Sequence, residues 1–484
     1  MTLVAGIDSS TQSCKVVIRD ADTGALVRSG SAKHPGGTEV NPYAWWDAFL
    51  QAVDAAGGLD DVAAAAVGGQ QHGMVALDAD GEVIRDALLW NDTRSAAAAE
   101  QLIMEHGGAE NAAQAGMAAW ARMIGSVPVA SLTVTKLRWL ADAEPENAQR
   151  IAAVALPHDW LTWRISGSTR LEDLATDRSE ASGTGYFDPA SGTYRYDLLA
   201  QALRISESAA QQIVLPRAAG PQEQVGTGDP ARGWGDMILG PGAGDNAAAS
   251  LGIGMSTGDV SISIGTSGVV AAVSPTPIRD ASGLIAGFAS ATGEYLPLAV
   301  TLNGSRVLDG AARMLGVDHQ RLAELALSAE PGANGLTLVP YLEGERTPNL
   351  PHATGSFIGL SLSSMNPQDV ARAAVEGLLC GLADGLEAMT ELGVPVNSIQ
   401  LIGGAARSAA VKEIAPAVFG RDIQVPEPGE YVADGAARQA AWALSGTTSA
   451  PEWTASAVTT FSAEPSRFVR ECYTERRHLF AEQS

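Results

Sequence analysis

Cysteine is scarce in this chain of 484 residues. Its three cysteines, Cys14, Cys380 and Cys472, lie far apart, and no Cys-x-x-Cys pattern or cysteine–histidine cluster occurs. Disulfide frameworks and structural zinc sites both depend on closely patterned cysteines. The sequence therefore argues against both kinds of scaffold, and it indicates a protein of a reduced, cytoplasmic compartment.

Positive charge is also in short supply. The chain has 31 lysines and arginines against 55 aspartates and glutamates, for a formal net charge of −24. Because this charge repels a phosphate backbone, a nucleic-acid partner is not expected. Only Lys15, Lys33, Lys136 and Lys412 are lysines. All other basic residues are arginine. Codon bias is the simplest explanation for this preference for arginine, but the rarity of lysine makes each of the four a position of interest.

A membrane span is not indicated either. The N-terminus has no basic segment followed by an apolar one, so it does not resemble a secretory signal. Residues 260–278 carry no charge but are interrupted by two glycines and two prolines, which predicts two buried strands and a turn. With 46% hydrophobic and 18% charged residues, the chain is not disordered. Its length predicts two to four domains.

The first seventy residues predict a β-β-β-α-β order. Short apolar strands are expected at 3–7, 14–19 and 25–33, joined by tight polar turns. Asn41 followed by proline is a typical helix start. Residues 62–68 then return as a buried strand.

The same strand–turn–strand pattern recurs half a chain later. Residues 260–264 and 269–273 are apolar strands around the small-residue turn 265–268. Two copies suggest a duplicated domain, and the glycine- and proline-rich residues 216–244 are the best candidate for the crossing between the copies. We therefore expect domains at 1–242 and 243–484. Within the second, strands are expected at 337–341, 399–402 and 423–425, and helices at 305–316, 367–392, 408–419 and 433–445.

Both hydroxyl-rich turns are candidate phosphate loops. A turn of small residues exposes consecutive backbone N–H groups that can bind phosphate oxygens. Lys15 adds a positive charge beside the first turn, and Asp8 could hold a Mg²⁺ ion that bridges phosphates. One such turn alone is usually a simple hairpin, but a pair suggests a nucleotide held between two related domains. The common P-loop and dinucleotide-binding patterns are absent.

The run Gly242-Ala243-Gly244-Asp245-Asn246 is a candidate catalytic segment. Glycines around an acid let the backbone approach a ligand closely. Asp245 could then act as a general base on a substrate hydroxyl. The same aspartate would serve equally well as the N-cap of the following helix, and the local sequence does not separate these two interpretations.

Polar side chains at strand ends suggest recognition of a polyol. Gln71 and His72 follow the strand at 62–68, and Trp90 begins a Trp-Asn-Asp run after the next hairpin. Each sugar hydroxyl needs a donor and an acceptor, which such groups supply. A lone histidine is more often structural. A diglycine, Gly403-Gly404, follows the strand at 399–402 and could admit a planar base, although many ordinary strand-to-helix turns look the same.

Taken together, these motifs resemble the FGGY family of carbohydrate kinases over nearly the full length. The motifs are, in chain order, Gly-Ile-Asp-Ser-Ser-Thr-Gln-Ser-Cys-Lys (6–15), Gln-Gln-His-Gly-Met-Val-Ala-Leu-Asp (70–78), Leu-Leu-Trp-Asn-Asp-Thr-Arg (88–94), Pro-His-Asp-Trp-Leu (157–161), Gly-Asp-Asn-Ala-Ala (244–248), Ser-Ile-Gly-Thr-Ser-Gly (263–268), Tyr-Leu-Glu-Gly-Glu-Arg-Thr-Pro (341–348) and Leu-Ile-Gly-Gly-Ala-Ala-Arg (401–407). The chain departs from the family at Ser10, where glycine is usual, and at Gln71, where some members have methionine.

The resemblance implies an α/β, actin-like (ribonuclease-H-like) fold of two related domains around a cleft, with ATP and Mg²⁺ as cofactors. It implies that Asp245 is the catalytic base and that Asp8 lies on the Mg²⁺ side. The remaining implied contacts are Thr11, Gln12, Ser13, Lys15 and Thr266 to phosphates, Gly403, Gly404 and Ser408 to adenosine, and Gln71, His72, Trp90 and Asn246, with Asp245, to the sugar.

The implied reaction is transfer of phosphate from ATP to the 5-hydroxyl of D-xylulose. Two alternatives stay open at this point. The chain could be another sugar or polyol kinase of the family, acting on ribulose, glycerol or gluconate, or it could be an actin-like ATP-binding assembly protein. Sugar and ATP are the expected partners, with no nucleic acid and no membrane, and a homodimer is usual for such kinases.

Overall fold

Two large β-sheets dominate the computed structural model, which describes residues 1–108, 111–350, 352–453 and 457–481. Each sheet has seven strands. All strands of the first sheet lie before residue 245, and all strands of the second lie after residue 258.

The first sheet is centred on the strand Leu3–Ser9, all of whose residues are buried. This strand pairs antiparallel with Ser13–Asp20 and parallel with Val62–Gly69. Burial on both faces explains why it reads as a continuous apolar run. The order across the sheet is Gly226–Thr227, Ile238–Leu239, Val62–Gly69, Leu3–Ser9, Ser13–Asp20, Leu26–Lys33, with Ala243–Gly244 also pairing with Val62–Gly69.

The second sheet repeats the central part of the first. Its strand Asp259–Ile264 pairs antiparallel with Gly268–Ala272 and parallel with Ser398–Ile402. In each sheet, one of the predicted small-residue turns joins the two antiparallel strands. The duplication inferred from the sequence is therefore visible in the topology. The order is Ala286–Ala289, Tyr295–Thr301, Gly268–Ala272, Asp259–Ile264, Ser398–Ile402, Ile423–Pro426, Val458–Phe461.

Helices and small two-stranded sheets surround these two sheets. The α-helices are Pro42–Ala55, Ala96–Glu105, Ala112–Ile124, Thr133–Ala143, Pro145–Gln149, Pro157–Ser166, Arg178–Ser182, Tyr196–Leu203, Glu207–Ala210, Asp245–Gly252, Arg306–Leu315, His319–Leu327, Pro367–Glu391, Ala409–Phe419, Tyr431–Ser445 and Arg467–Ala481. Short 3-10 turns occur at Leu171–Asp173, Pro230–Arg232, Ala333–Gly335 and Gly404–Arg407. The small sheets pair Glu39–Val40 with Ala87–Leu88, Val75–Leu77 with Ala153–Ala155, Ala175–Asp177 with Arg217–Ala219, Phe187–Asp188 with Thr193–Tyr194, and Thr337–Val339 with Ser356–Ile358.

One C-terminal helix lies against the first sheet. Tyr431–Ser445 packs on the strand Leu3–Ser9 and on the helix Asp245–Gly252. Glycines make this close approach possible: a Cβ on Gly6 would lie 1.9 Å from the Ala433 carbonyl oxygen, and one on Gly435 would lie 1.8 Å from the Ala248 carbonyl oxygen. Three segments distant in sequence are thereby held together.

The glycine- and proline-rich segment 216–244 contributes three short strands to the first sheet before the chain continues into its second half. Its strands Gly226–Thr227, Ile238–Leu239 and Ala243–Gly244 pair with Val62–Gly69 or with each other, whereas Arg217–Ala219 pairs with Ala175–Asp177 in a small sheet. The turns between them require the glycines and prolines that suggested a linker. Only the end of the segment, near 240–245, coincides with the point where the chain leaves this sheet.

No helix within the described ranges is both long and apolar enough to cross a membrane.

Candidate active site

The candidate active site lies at one edge of the first sheet, where the parallel strands Leu3–Ser9, Val62–Gly69 and Ala243–Gly244 end. In the strand register, Asp8 lies opposite Gly68, Ser9 opposite Gly69, and Gly244 opposite the same Gly69. Backbone pairing therefore brings the segments that follow these strands to one edge of the sheet, where ligands of α/β proteins commonly bind. The segments after Gly69 and Gly244 contain the predicted sugar-binding and catalytic residues.

Two cavities meet at this edge. The larger, about 760 Å³, is lined by Asp8, Lys15 and the diglycine at 403–404. The smaller, about 190 Å³, lies among the first and second sheets and the residues Gln71, His72 and Trp90. Asp245 and Asn246 line both cavities. A group held in one cavity can therefore reach a group held in the other beside Asp245.

Asp245 is the first residue of its helix, and Gly244 is the N-cap. Its Oδ1 accepts hydrogen bonds from the backbone N–H (2.7 Å) and the side-chain Nδ2 (2.8 Å) of Asn246. Burial raises the pKa of Asp245 to about 6, although these hydrogen bonds oppose the shift. The carboxylate is thus oriented by its neighbour and has a pKa close to neutral pH, as a general base requires.

Asp8 faces the larger cavity from the end of its strand. Burial raises its pKa to about 7, with Lys15 opposing the shift and the negative charges of Asp245 and Glu430 adding to it. Its Oδ1 is buried and has no hydrogen-bond partner among the residues described. Within those residues, no group of three or more histidine, cysteine, aspartate or glutamate side chains could hold a metal ion by itself.

The first small-residue turn has an unexpected set of contacts. Lys15 forms an ion pair with Glu430, which directly precedes the helix Tyr431–Ser445. The Oγ1 of Thr11 accepts a hydrogen bond from Trp90 Nε1 at 2.9 Å. Gln12 accepts a hydrogen bond from the His34 backbone N–H through its carbonyl (2.9 Å). The carbonyl of Ser13 closes the turn onto the Ser10 backbone N–H (3.2 Å).

The smaller cavity contains the predicted sugar-binding side chains. Gln71 is held by a hydrogen bond from its Nε2 to the Ser179 carbonyl (3.2 Å), and the His72 ring lies 5.5 Å from the Phe288 ring. His72 has a backbone φ of 71°, a strained conformation that is often found at functional sites.

His72 is neutral. Burial lowers its pKa to about 3, and the positive charges of Lys136 and Arg346 add to that shift, against a hydrogen bond to the Gly183 carbonyl. Nδ1 lies 2.7 Å from that carbonyl oxygen. A carbonyl oxygen only accepts, so Nδ1 carries the proton. Nε2 is therefore an acceptor available to a hydroxyl.

The second turn and the diglycine lie on opposite sides of the second sheet's central strand. Thr266 contributes its carbonyl to the Gly304 backbone N–H (3.2 Å), while its neighbour Ser267 lines the smaller cavity. Gly403 and Gly404 line the larger cavity. Ser408 is the N-cap of the helix Ala409–Phe419 and does not line this cavity, whereas Arg407 and Lys412 beside it do.

The sequence motifs assigned no role to several residues at or near this site. Glu430, the partner of Lys15, lies in a proline-rich turn with no recognisable motif. Arg346 lines the smaller cavity, and the motif around it was the only available signal. Lys136 is completely buried and donates to the carbonyls of Ala130 (3.0 Å) and Ser131, a cavity residue. Burial lowers the pKa of Lys136 to about 7, and only the scarcity of lysine drew attention to it.

Known proteins are similar to this chain over nearly its whole length. The N-terminal domain of the FGGY family of carbohydrate kinases matches residues 3–252, and its C-terminal domain matches residues 260–444. Xylulose kinase of Streptomyces coelicolor is 44% identical over 455 residues, which cover 92% of this chain and 88% of that protein. Xylulose kinase of Escherichia coli is 34% identical, covering 90% and 89%.

A solved structure is also similar along its full length. The crystal structure of xylulose kinase from Bifidobacterium adolescentis has 52% sequence identity and a TM-score of 0.93, with 98% of this chain and 99% of that one covered. Both family domains, in order and around a shared cleft, are therefore present here. The chain belongs to the FGGY family of carbohydrate kinases.

Proposed function

We propose that this carbohydrate kinase transfers the γ-phosphoryl group of ATP to the 5-hydroxyl of D-xylulose, giving D-xylulose 5-phosphate. ATP is the phosphoryl donor that membership of a kinase family implies. The choice of xylulose is supported by the relatives described above, which are similar over nine-tenths of this chain. The observation that carries the proposal is that Asp245 lines both cavities.

Asp245 is the proposed general base. With Oδ1 engaged by Asn246, Oδ2 is the oxygen left to accept the proton of the sugar hydroxyl. Phosphoryl transfer depends mainly on positioning and charge stabilisation. An oriented carboxylate with a pKa of about 6 is deprotonated at neutral pH and holds the hydroxyl in line with the phosphate.

Asp8 fits the binding of Mg²⁺. Its buried Oδ1 lacks a partner among the described residues, and its pKa is raised to about 7 by burial and neighbouring carboxylates, so a cation would relieve both costs. Mg²⁺ usually keeps several waters and takes one or two carboxylates together with substrate phosphates, so a dedicated cage of protein ligands is not needed. When bound, the ion would neutralise charge on the β- and γ-phosphates.

The remaining predicted contacts are proposed to hold the two substrates. Lys15 and the backbone N–H groups around Thr11, Gln12, Ser13 and Thr266 would bind phosphate oxygens. Gly403 and Gly404 would contact adenosine in the larger cavity, and Ser408 would do so from the helix start next to the cavity residue Arg407. Gln71, His72, Trp90 and Asn246 would bind sugar hydroxyls. The neutral His72 accepts through Nε2, and the cavity of about 190 Å³ is of a size that suits a small sugar. We further propose the domain boundary at 242/243, a cytoplasmic location and a homodimer.

A substrate panel tests the proposal. ADP release is measured with D-xylulose, D-ribulose, glycerol and gluconate, each with and without MgCl₂. We expect the highest kcat/KM for D-xylulose and dependence on Mg²⁺. Higher kcat/KM for another sugar would identify a different kinase of the same family. ATP turnover that no sugar changes would instead support an actin-like assembly protein.

A further inference from the structure

Arg346 is held in place by the residues on both sides of it. The Glu345 carboxylate accepts hydrogen bonds through Oε1 from the backbone N–H groups of Leu302 and Arg346, both at 2.7 Å. Thr347 donates its hydroxyl to the Val300 carbonyl at 2.8 Å. The backbone of this loop is therefore fixed to the end of the strand Tyr295–Thr301, and the position of the arginine is set with it.

The side chain of Arg346 lines the smaller cavity, together with His72 and Asp245. Across the described part of the chain, its guanidinium has no ion pair and no hydrogen bond, whereas Arg306 is paired with Glu343 of the same loop. Burial lowers the pKa of Arg346. Arg346 is only partly exposed, and a cation held largely away from water without a counter-ion is costly. A negative group supplied by a ligand is therefore the expected partner.

Residues 303–305 form hydrogen bonds both with the loop that carries Arg346 and with the second small-residue turn. The backbone N–H groups of Gly304 and Ser305 donate to the carbonyls of Thr266 (3.2 Å) and Gly265 (2.7 Å). One residue earlier, Asn303 donates through Nδ2 to the Gly344 carbonyl (2.8 Å) and to Glu345 (2.9 Å). The guanidinium is thus positioned relative to a turn that is proposed to bind phosphate, and Ser267 of this turn lines the same cavity.

A neutral ketose brings no negative charge into this cavity before the reaction. Asp245 is the only carboxylate among the residues that line it, and its Oδ1 is engaged by Asn246. The transferred phosphoryl group is the one anion that the proposed reaction brings there. Arginine suits it well, since a planar guanidinium can bind two phosphate oxygens at once.

We propose that Arg346 binds the phosphoryl group during transfer and retains it in the sugar phosphate product. The bond between the γ-phosphorus and the β–γ bridging oxygen breaks, and its electron pair stays on ADP. A bond forms between the phosphorus and the sugar oxygen, whose proton passes to Asp245. Arg346 contacts the moving phosphoryl group from the sugar side. This inference rests on the proposed kinase reaction and adds a residue to it.

The test compares Arg346→Gln and Arg346→Lys with Arg306→Gln as the matched control, because Arg306 is exposed and is paired with Glu343 of the same loop. Loss of a phosphoryl-stabilising donor typically lowers kcat by about 10²- to 10³-fold. We expect that loss for Arg346→Gln, with sugar KM changed less than about threefold, partial recovery in Arg346→Lys, and normal kinetics in the control.

Product binding provides a second readout. Titration with D-xylulose 5-phosphate should show affinity weakened at least about tenfold in Arg346→Gln, with D-xylulose affinity unchanged. Unchanged kcat and product affinity, or a raised sugar KM alone, would overturn the inference. If the wild type phosphorylates no ketose, the proposed function fails by itself, and the titration with sugar phosphate still decides whether Arg346 binds a phosphoryl group.

Discussion

Lys15 and Glu430, 415 positions apart in the sequence, form an ion pair, and both line the larger cavity. Both side chains are partly exposed, at 35% and 51%, and such pairs contribute little to stability. Breaking this ion pair therefore costs little free energy, and Lys15 can readily bind another anion instead. In the proposed enzyme, a nucleotide phosphate competes with Glu430 for the ammonium group, which gives this acidic protein a local positive charge when its substrate binds.

Changing either partner should shift ATP affinity in opposite directions. Lys15→Ala removes a charge-assisted contact and should raise the Kd of ATP about tenfold. Glu430→Gln releases the lysine and should lower the Kd about two- to threefold. Calorimetric titration measures both, with Lys33→Ala as control because Lys33 is an exposed lysine of the neighbouring strand. Equal Kd values for all three variants and the wild type would remove Lys15 from the nucleotide site.

Asp245→Asn keeps the size of the side chain and removes the base. Positioned general bases contribute about 10²- to 10⁴-fold to rates, so kcat should fall by that factor. The Kd of ATP should change little, because the proposed phosphate contacts lie elsewhere in the cleft. Single-turnover measurements with saturating sugar and ATP test this, and the exposed Asp236→Asn is the control. Near-normal turnover in Asp245→Asn would show that another group accepts the proton.

The rate should depend on pH through Asp245. Only the deprotonated carboxylate accepts a proton, and its pKa is about 6. At saturating MgATP and sugar, kcat should therefore rise about tenfold per pH unit below pH 6 and level off above about pH 7. The measurement is kcat from pH 5 to 8 with ADP release. A flat profile over this range would contradict the assignment.

The ionised Asp8 carboxylate should lower the free energy of unfolding of the ligand-free protein. Its pKa is about 7 in the fold against 3.8 normally, so the folded state binds more protons than the unfolded state between these values. Stability therefore falls as pH rises from about 4 to 7, and above pH 7 the cost is at most on the order of 4 kcal/mol. Asp8→Asn should raise the Tm at pH 8 and change it little at pH 4.

The matched control for this stability measurement is Asp22→Asn, at an exposed position. It should leave the Tm unchanged at both pH values. MgATP should reduce the advantage of Asp8→Asn at pH 8, since a cation beside Asp8 stabilises the wild type alone. An Asp8→Asn variant that is less stable than the wild type at pH 8 would mean that an unrecognised contact supports the ionised carboxylate.

Two helix glycines should respond to alanine with opposite signs. A Cβ on Gly435 would lie 1.8 Å from the Ala248 carbonyl oxygen, whereas Gly310 has open space around it. Gly435→Ala should destabilise by at least about 1–3 kcal/mol through overpacking and should also lower kcat, because it separates the helix of Asp245 from the helix that follows Glu430. Gly310→Ala should stabilise by up to about 1 kcal/mol. Denaturant unfolding measures both.

Local patterns were sufficient for most of the secondary structure. The helix predicted to start at Asn41 begins at Pro42, and the Asn41 side chain accepts from the Tyr43 backbone N–H at 3.0 Å. The two apolar hairpins and the long helix expected at 367–392 are also present. These features depend on hydrogen bonds and burial within a few residues, so the local sequence predicts them. The segment 216–244, predicted as the crossing between domains, also supplies short strands of the first sheet, because turns between short strands use the same glycines and prolines as a linker.

The chemistry of the site depends on contacts between distant segments. Sequence motifs named Asp8, Asp245 and His72 as candidates, and these roles stay predictions that the experiments above test. Sequence could not say that Gly69 pairs with both Ser9 and Gly244, that Glu430 pairs with Lys15, or that Arg346 lines the smaller cavity. Strand register and helix packing decide these contacts.

The residues alone indicated an acidic, two-copy α/β protein with candidate phosphate loops and a candidate sugar site. Which carboxylates lie where the two cavities meet, and how readily they ionise, became visible in the folded structure alone. The physical reason is that a pKa depends on burial and on neighbouring charges, and both are set by segments that meet only when the chain has folded.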